Sequence, residues 1–181
     1  MKIVALMGSP RKGSNTDTLL DEFIKGAEKA GKTVDKLSVY DLKIQPCVDC
    51  RTCKREPYAC KIKDDMQRVY PLLSAADLIV FATPVYWWGP SAPMKLLIDR
   101  MRPFGSSNRK LKGKKAVLIA PSGDAPETVQ VIVQQFEKIF RLLGVNFTDK
   151  IMVQAYNTGD IQQNQTVLKQ AYELGERIQR N

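Results

Sequence analysis

Five apolar runs, at residues 3–7, 34–39, 78–82, 116–120 and 147–153, alternate along this chain with five stretches of helical periodicity, at 16–30, 65–75, 92–101, 127–143 and 162–180. A run such as Ile3-Val4-Ala5-Leu6-Met7 has no polar face to offer water, so a strand built from it must be covered on both sides. Regular strand–helix alternation provides that cover and predicts a parallel sheet between two helical layers. The 181 residues suit one domain, spanning 1–181, with a full core. Gly31 and Gly144 fall where helix C-caps are wanted.

The segment 8–16, Gly-Ser-Pro-Arg-Lys-Gly-Ser-Asn-Thr, joins the first strand to the first helix. Such a turn aims backbone N–H groups and the positive end of a helix dipole at one point, which suits an anion. Ser9, Ser14, Asn15 and Thr16 add side-chain donors, and Arg11 adds a planar cation matched to phosphate oxygens. The pattern is neither G-x-G-x-x-G nor a Walker loop, so a phosphate monoester fits better than a dinucleotide pyrophosphate. The alternative is a plain strand-to-helix turn N-capped by Ser14 or Asn15. Five strands with such a loop after the first suit a flavodoxin-like three-layer sandwich of strand order 2-1-3-4-5.

Ligands in these sheets sit at the carboxyl ends of the strands. Two further loops should therefore meet the first: 83–90, Thr-Pro-Val-Tyr-Trp-Trp-Gly-Pro, and 121–125, Pro-Ser-Gly-Asp-Ala. Both tryptophans of the chain lie in the former. A planar conjugated ligand wants a flat apolar wall with rigid backbone donors, although the same aromatics could cap a core or fill a dimer interface.

The chain has no histidine, which excludes His-based triads and His-ligated metals. Its net charge of +9 is scattered without a recognisable nucleic-acid module, so small anionic molecules, not nucleic acid, are the expected partners. No apolar run is long enough to span a bilayer and no leader is evident at the N-terminus, so the expectation is a cytoplasmic protein with no membrane partner.

Three motifs in order, Gly-Ser-Pro-Arg-x-x-Ser-Asn-Thr ending at Thr16, Thr83-Pro-Val-Tyr-Trp-Trp-Gly89, and Ala92-Pro-Met-Lys-x-x-x-Asp-Arg-Met101, resemble the NADPH-dependent FMN reductase family of flavodoxin-like proteins. The resemblance covers nearly the whole chain. It implies FMN as cofactor, with the phosphate on Ser9, Arg11, Ser14, Asn15 and Thr16. It implies the isoalloxazine near Pro84, Val85, Tyr86, Trp87, Trp88 and Gly89 on one side and Ser122, Gly123 and Asp124 on the other. It also implies NAD(P)H as co-substrate and a homodimer or homotetramer.

All four cysteines, Cys47, Cys50, Cys53 and Cys60, lie in the irregular segment 40–63. This spacing resembles the iron–sulfur flavoprotein branch, whose cysteine motif holds a 4Fe-4S cluster, and compact CxxC spacing wraps such a centre. Arg51, Lys54, Arg55, Lys61 and Lys63 would offset its charge. The loop would then fold into a knob at the carboxyl end of the sheet. Zinc, disulfides and free thiols compete. Three functions remain open: an oxidoreductase passing electrons from NAD(P)H to a quinone, a nitro- or azo-compound or a flavin; an iron–sulfur flavoprotein exchanging electrons with a ferredoxin-like partner; and a non-enzymatic FMN-binding redox sensor. In each, the flavin carries the chemistry and no side chain need act as acid or base.

Overall fold

A computed structural model describes residues 1–105 and 110–179. The end of the last expected helix, at residue 180, lies outside them. Five strands, β1 (Lys2–Met7), β2 (Thr33–Ser38), β3 (Leu78–Ala82), β6 (Lys115–Ser122) and β7 (Asn146–Gln154), form one parallel sheet in the order β2-β1-β3-β6-β7. Counting these five alone, that is the expected 2-1-3-4-5. A two-stranded antiparallel hairpin, β4 (Val85–Tyr86) and β5 (Gly89–Pro90), stands apart from it.

The helices are α1 (Asn15–Lys29), α2 (Met66–Ala75), α3 (Ala92–Arg100), α4 (Gln130–Leu143), α5 (Asp160–Gln163) and α6 (Gln165–Arg177). Strand side chains alternate between two cores, as the period of two requires. Val4, Leu6, Phe81 and Leu118 pack with α2, α3 and α4, whereas Ile3, Ala5, Val80 and Ile119 pack with α1 and α6. Helices α1 and α6 approach closely at Gly26 and Gly175: a Cβ on either would sit 2.0 Å from a backbone oxygen of the other helix.

Two boundaries differ from expectation. The fourth helix begins at Gln130 because a turn at 125–128 precedes it, with the Thr128 N–H donating to the Ala125 carbonyl at 3.0 Å. The last helix is broken at Asn164, whose Oδ1 accepts from Val167 N at 3.1 Å and caps α6 afresh. The sheet order reverses between β1 and β3, so the crevice for a ligand lies beyond the carboxyl ends of those strands.

Candidate functional site

At the head of β1 the chain is fixed before it turns. Gly8 N donates to the Ala82 carbonyl at 2.7 Å, and Ser91 Oγ donates to the Gly8 carbonyl at 2.6 Å. Ser14 occupies the N-cap position of α1, yet its hydroxyl makes no capping bond. The hydroxyls of Ser14 and Thr16 have no partner among the described residues, although both residues are buried. First-turn N–H groups of a helix lack intrahelical acceptors, so they and the two hydroxyls form an unspent donor set.

Asn15 has a different task. Its amide donates to the Asn157 carbonyl at 2.8 Å and the Ala155 carbonyl at 3.4 Å, while its Oδ1 accepts from Gly159 N at 3.2 Å and Ile161 N at 3.4 Å. The side chain thus staples the loop after β1 to the loop after β7. Arg11 Nη1 donates to Thr158 Oγ1 at 3.3 Å, which holds the exposed guanidinium over the same junction.

The segment after β3 forms the β4–β5 hairpin. Buried Thr83 anchors it, with Oγ1 accepting from Ser91 N at 3.0 Å. Its two-residue turn is Trp87-Trp88, at φ 50° and 59°. Positive φ at both central residues is the pattern that Asn-Gly ordinarily fills, and it is strained for bulky side chains. The strain presents the rings outward: Trp87 is 90% and Trp88 50% exposed, with centroids 6.0 Å apart.

Two clefts at the strand ends share Val85, Ser122 and Gly123. One, of about 200 Å³, is lined by Ser9, Arg11, Ser14, Asn15 and Thr16 together with Pro84, Val85 and Tyr86. The other, of about 180 Å³, is lined by Trp87, Trp88 and Asp124. Joined, they fall within the range of small-molecule sites, about 300–1,000 Å³. Gly89 lines neither cleft and pairs with Tyr86 in the hairpin. The loop after β7 was not anticipated: Ala155 and Tyr156 complete the first cleft, and a Cβ on Gly123 would lie 3.0 Å from the Tyr156 ring. The rule that ligands meet strand carboxyl ends applies to β7 as well and would have found it.

The four cysteines line one small cavity of about 20 Å³, closed by Asp99, Arg100 and Arg102. They pack against the C-terminal end of α3, at Asp99 and Arg100. The reason is Arg100. Its guanidinium is 1% exposed and pairs with Asp64, itself 4% exposed, through Nη1 to Oδ2 at 2.6 Å and Nη2 to Oδ1 at 3.2 Å. Nη1 also donates to the Gln45 carbonyl at 2.7 Å, and Nη2 to Cys60 Sγ at 3.4 Å. Both ends of the cysteine loop are therefore drawn to this helix end. Asp64 Oδ1 also accepts from Met66 N at 3.0 Å, so Asp64, not the N-cap residue Asp65, bonds the start of α2.

Between residues 46 and 59 every hydrogen bond found among the described residues stays within the segment, such as Cys50 Sγ with Thr52 Oγ1 at 3.4 Å. Among the described residues, no three Cys, Asp or Glu side chains are arranged to hold a single metal ion. Four thiols around one cavity beside two arginines are the donor set of an anionic cluster. The cavity admits no more than a water-sized body, so the self-bonded tip must move outward to take a larger group.

A model of the NADPH-dependent FMN reductase family matches residues 1–158. An iron–sulfur flavoprotein of Archaeoglobus fulgidus is 33% identical over 180 residues, covering 98% of this chain and 79% of its own length. YwqN of Bacillus subtilis, provisionally named an NAD(P)H-dependent FMN-containing oxidoreductase, is 32% identical and covers 96% of both chains. Among solved structures, a Trp repressor binding protein of Bacillus subtilis superposes with TM-score 0.71 at 26% identity over 96% of this chain and 99% of its own. An NAD(P)H:quinone oxidoreductase of Methanothermobacter marburgensis superposes with TM-score 0.74 at 18% identity over 99% of each, a likeness of fold. Among the described residues, no helix is long and apolar enough to cross a membrane.

Proposed function

The chain belongs to the NADPH-dependent FMN reductase family, and on that premise we propose that it is an FMN-dependent oxidoreductase passing electrons from NAD(P)H to a small acceptor. The carrying observation is the unspent donor set at the start of α1, which opens into a cleft leading to the tryptophan hairpin. FMN held there would supply the redox chemistry, hydride acceptance from NAD(P)H and two-electron delivery to a quinone, a nitro- or azo-compound or a free flavin.

The chain's part is to bind and orient. Ser9, Ser14 and Thr16 hydroxyls, the first-turn N–H groups of α1 and Arg11 receive the phosphate. Asn15 contributes by holding the loops together. Pro84, Val85 and Tyr86 carry the line of the ligand to Trp87 and Trp88, with Ser122, Gly123 and Asp124 on the facing side. The exposed rings limit water at the open face once they are covered, by substrate or by a second subunit in a homodimer or homotetramer. The cytoplasm is the compartment this reading assigns. Anaerobic stopped-flow with NADH and NADPH tests it: flavin bleaching in a rapid, saturable phase is expected, and none with either nucleotide overturns it.

The cysteine cavity favours an added role. Cys47, Cys50, Cys53 and Cys60 would hold a 4Fe-4S cluster and relay single electrons, with a ferredoxin-like protein as partner. Four thiols on one cavity and the iron–sulfur flavoproteins among the relatives support this. Anaerobically reconstituted protein should carry iron and sulfide, and Cys50→Ser should lose both while keeping FMN. Iron-free protein, or protein with stoichiometric zinc, overturns it.

A further inference from the structure

We propose that Arg100 is a positioning residue for the four-cysteine centre, fixing the Cys60 sulfur and supplying the nearest buried positive charge to it; this rests on the cluster role above. Among the described residues, every other basic residue near the cysteines is exposed. Arg51, Lys54 and Arg55 lie in the exposed tip, and Arg102 is exposed at the rim of the cavity. Arg100 is buried, comes from a helix of the flavin-binding framework, and reaches a sulfur directly.

Its orientation is over-determined. Asp64 takes both terminal nitrogens, and Asp64 is itself fixed by accepting from Gln45 N at 2.8 Å and Met66 N at 3.0 Å. Tyr70 Oη donates to the Arg100 carbonyl at 2.7 Å and holds the backbone. Gln67 Nε2 donates to the Cys60 carbonyl at 3.3 Å and to Ile62 O at 2.6 Å, fixing the other side of the contact. Cys60 is thus set while Cys47 and Cys50 remain exposed, so a centre would assemble onto Cys60 and be enclosed by the tip. A buried guanidinium bonded to a ligating sulfur favours the reduced, more negative state of such a centre, since hydrogen bonds and local charge set cluster potentials.

Asp64 and Arg100 carry opposite charges, which gives a test that simple loss of structure cannot imitate. Asp64→Asn leaves the guanidinium uncompensated and should raise the cluster midpoint potential. Arg100→Met combined with Asp64→Asn removes the cation without stranding a carboxylate and should lower it below the parent's. The double variant should also lose iron roughly tenfold faster on anaerobic dilution, with the FMN dissociation constant unchanged. Arg100→Lys, keeping charge without the fork, should fall between the parent and the double variant. Shifts of the same sign in Asp64→Asn and the double variant, or potentials and iron loss equal to the parent's, overturn the proposal while leaving the cluster in place. A parent that takes up no iron removes the cluster role and this inference together.

Discussion

The loops after β1 and β2 both leave the carboxyl end of a strand, but one is built into the fold and the other is attached to it. The first is buried at both ends, at Ser9 and again from Ser14 to Thr16, begins on the Gly8–Ala82 bond, and is stapled through Asn15 to a loop about 140 residues away. The second bonds to itself from 46 to 59 and is held at its base by Arg100, Asp64 and Gln67. A site that must receive a fixed small molecule gains from being preformed, because ordering is then complete before binding. A site that must wrap a larger group gains from a tip that can open.

The largest expected effect tests the attachment. Arg100→Met alone strands the buried Asp64 carboxylate and should destabilise the fold by about 3–5 kcal/mol in chemical denaturation. A loss near zero would mean the cysteine loop is anchored by something else. The same pair sets an acid limit. Burial opposes ionisation of Asp64, but the Arg100 guanidinium and the Gln45 and Met66 N–H groups outweigh it and hold the carboxyl below its usual range. A depressed carboxylate contributes stability above its unfolded value, near pH 4, and loses it as pH falls through the folded value. Stability should therefore fall below about pH 4, and Asp64→Asn should flatten that slope.

Next is Asn15→Ala, which orphans backbone groups in the loop after β7 and should cost about 2–3 kcal/mol. Stability equal to the parent's would erase the contrast between the two loops. Arg11→Ala should weaken FMN by about 1.5–2 kcal/mol, roughly 10–30-fold, and leave riboflavin nearly unchanged in fluorescence titration. Equal loss for both ligands would remove Arg11 from the phosphate. The smallest effect is at the hairpin: Trp87→Asn with Trp88→Gly should relieve the turn and stabilise the FMN-free protein by about 1 kcal/mol. The parent's tryptophan fluorescence should be quenched by FMN, and its persistence would remove the rings from the site.

The alternation of residues 3–7, 78–82 and 116–120 with helical stretches dictated the sheet, because a strand apolar on both faces has few other ways to be covered. Strand order and the convergence of the loops after β1, β3 and β6 followed from that pattern and the small-residue turn at 8–16. The strained Trp87-Trp88 turn was not legible, since propensity argues against positive φ in tryptophan and only closure of the β4–β5 hairpin enforces it. The task of Asn15 was hidden for a related reason: among donors at a helix start, sequence cannot separate one spent on a distant loop from one left for a ligand.

The cysteine loop divides most clearly. Its composition and spacing were local facts, and the sequence by itself determined that four thiols lie close along the chain. Which end of which helix they pack against was decided by a charge pair between residues 64 and 100, 36 positions apart. Local periodicity is written in neighbouring residues and survives reading one window at a time. The partner of a buried charge is chosen by the tertiary structure, because only there does desolvation force Arg100 and Asp64 to find each other.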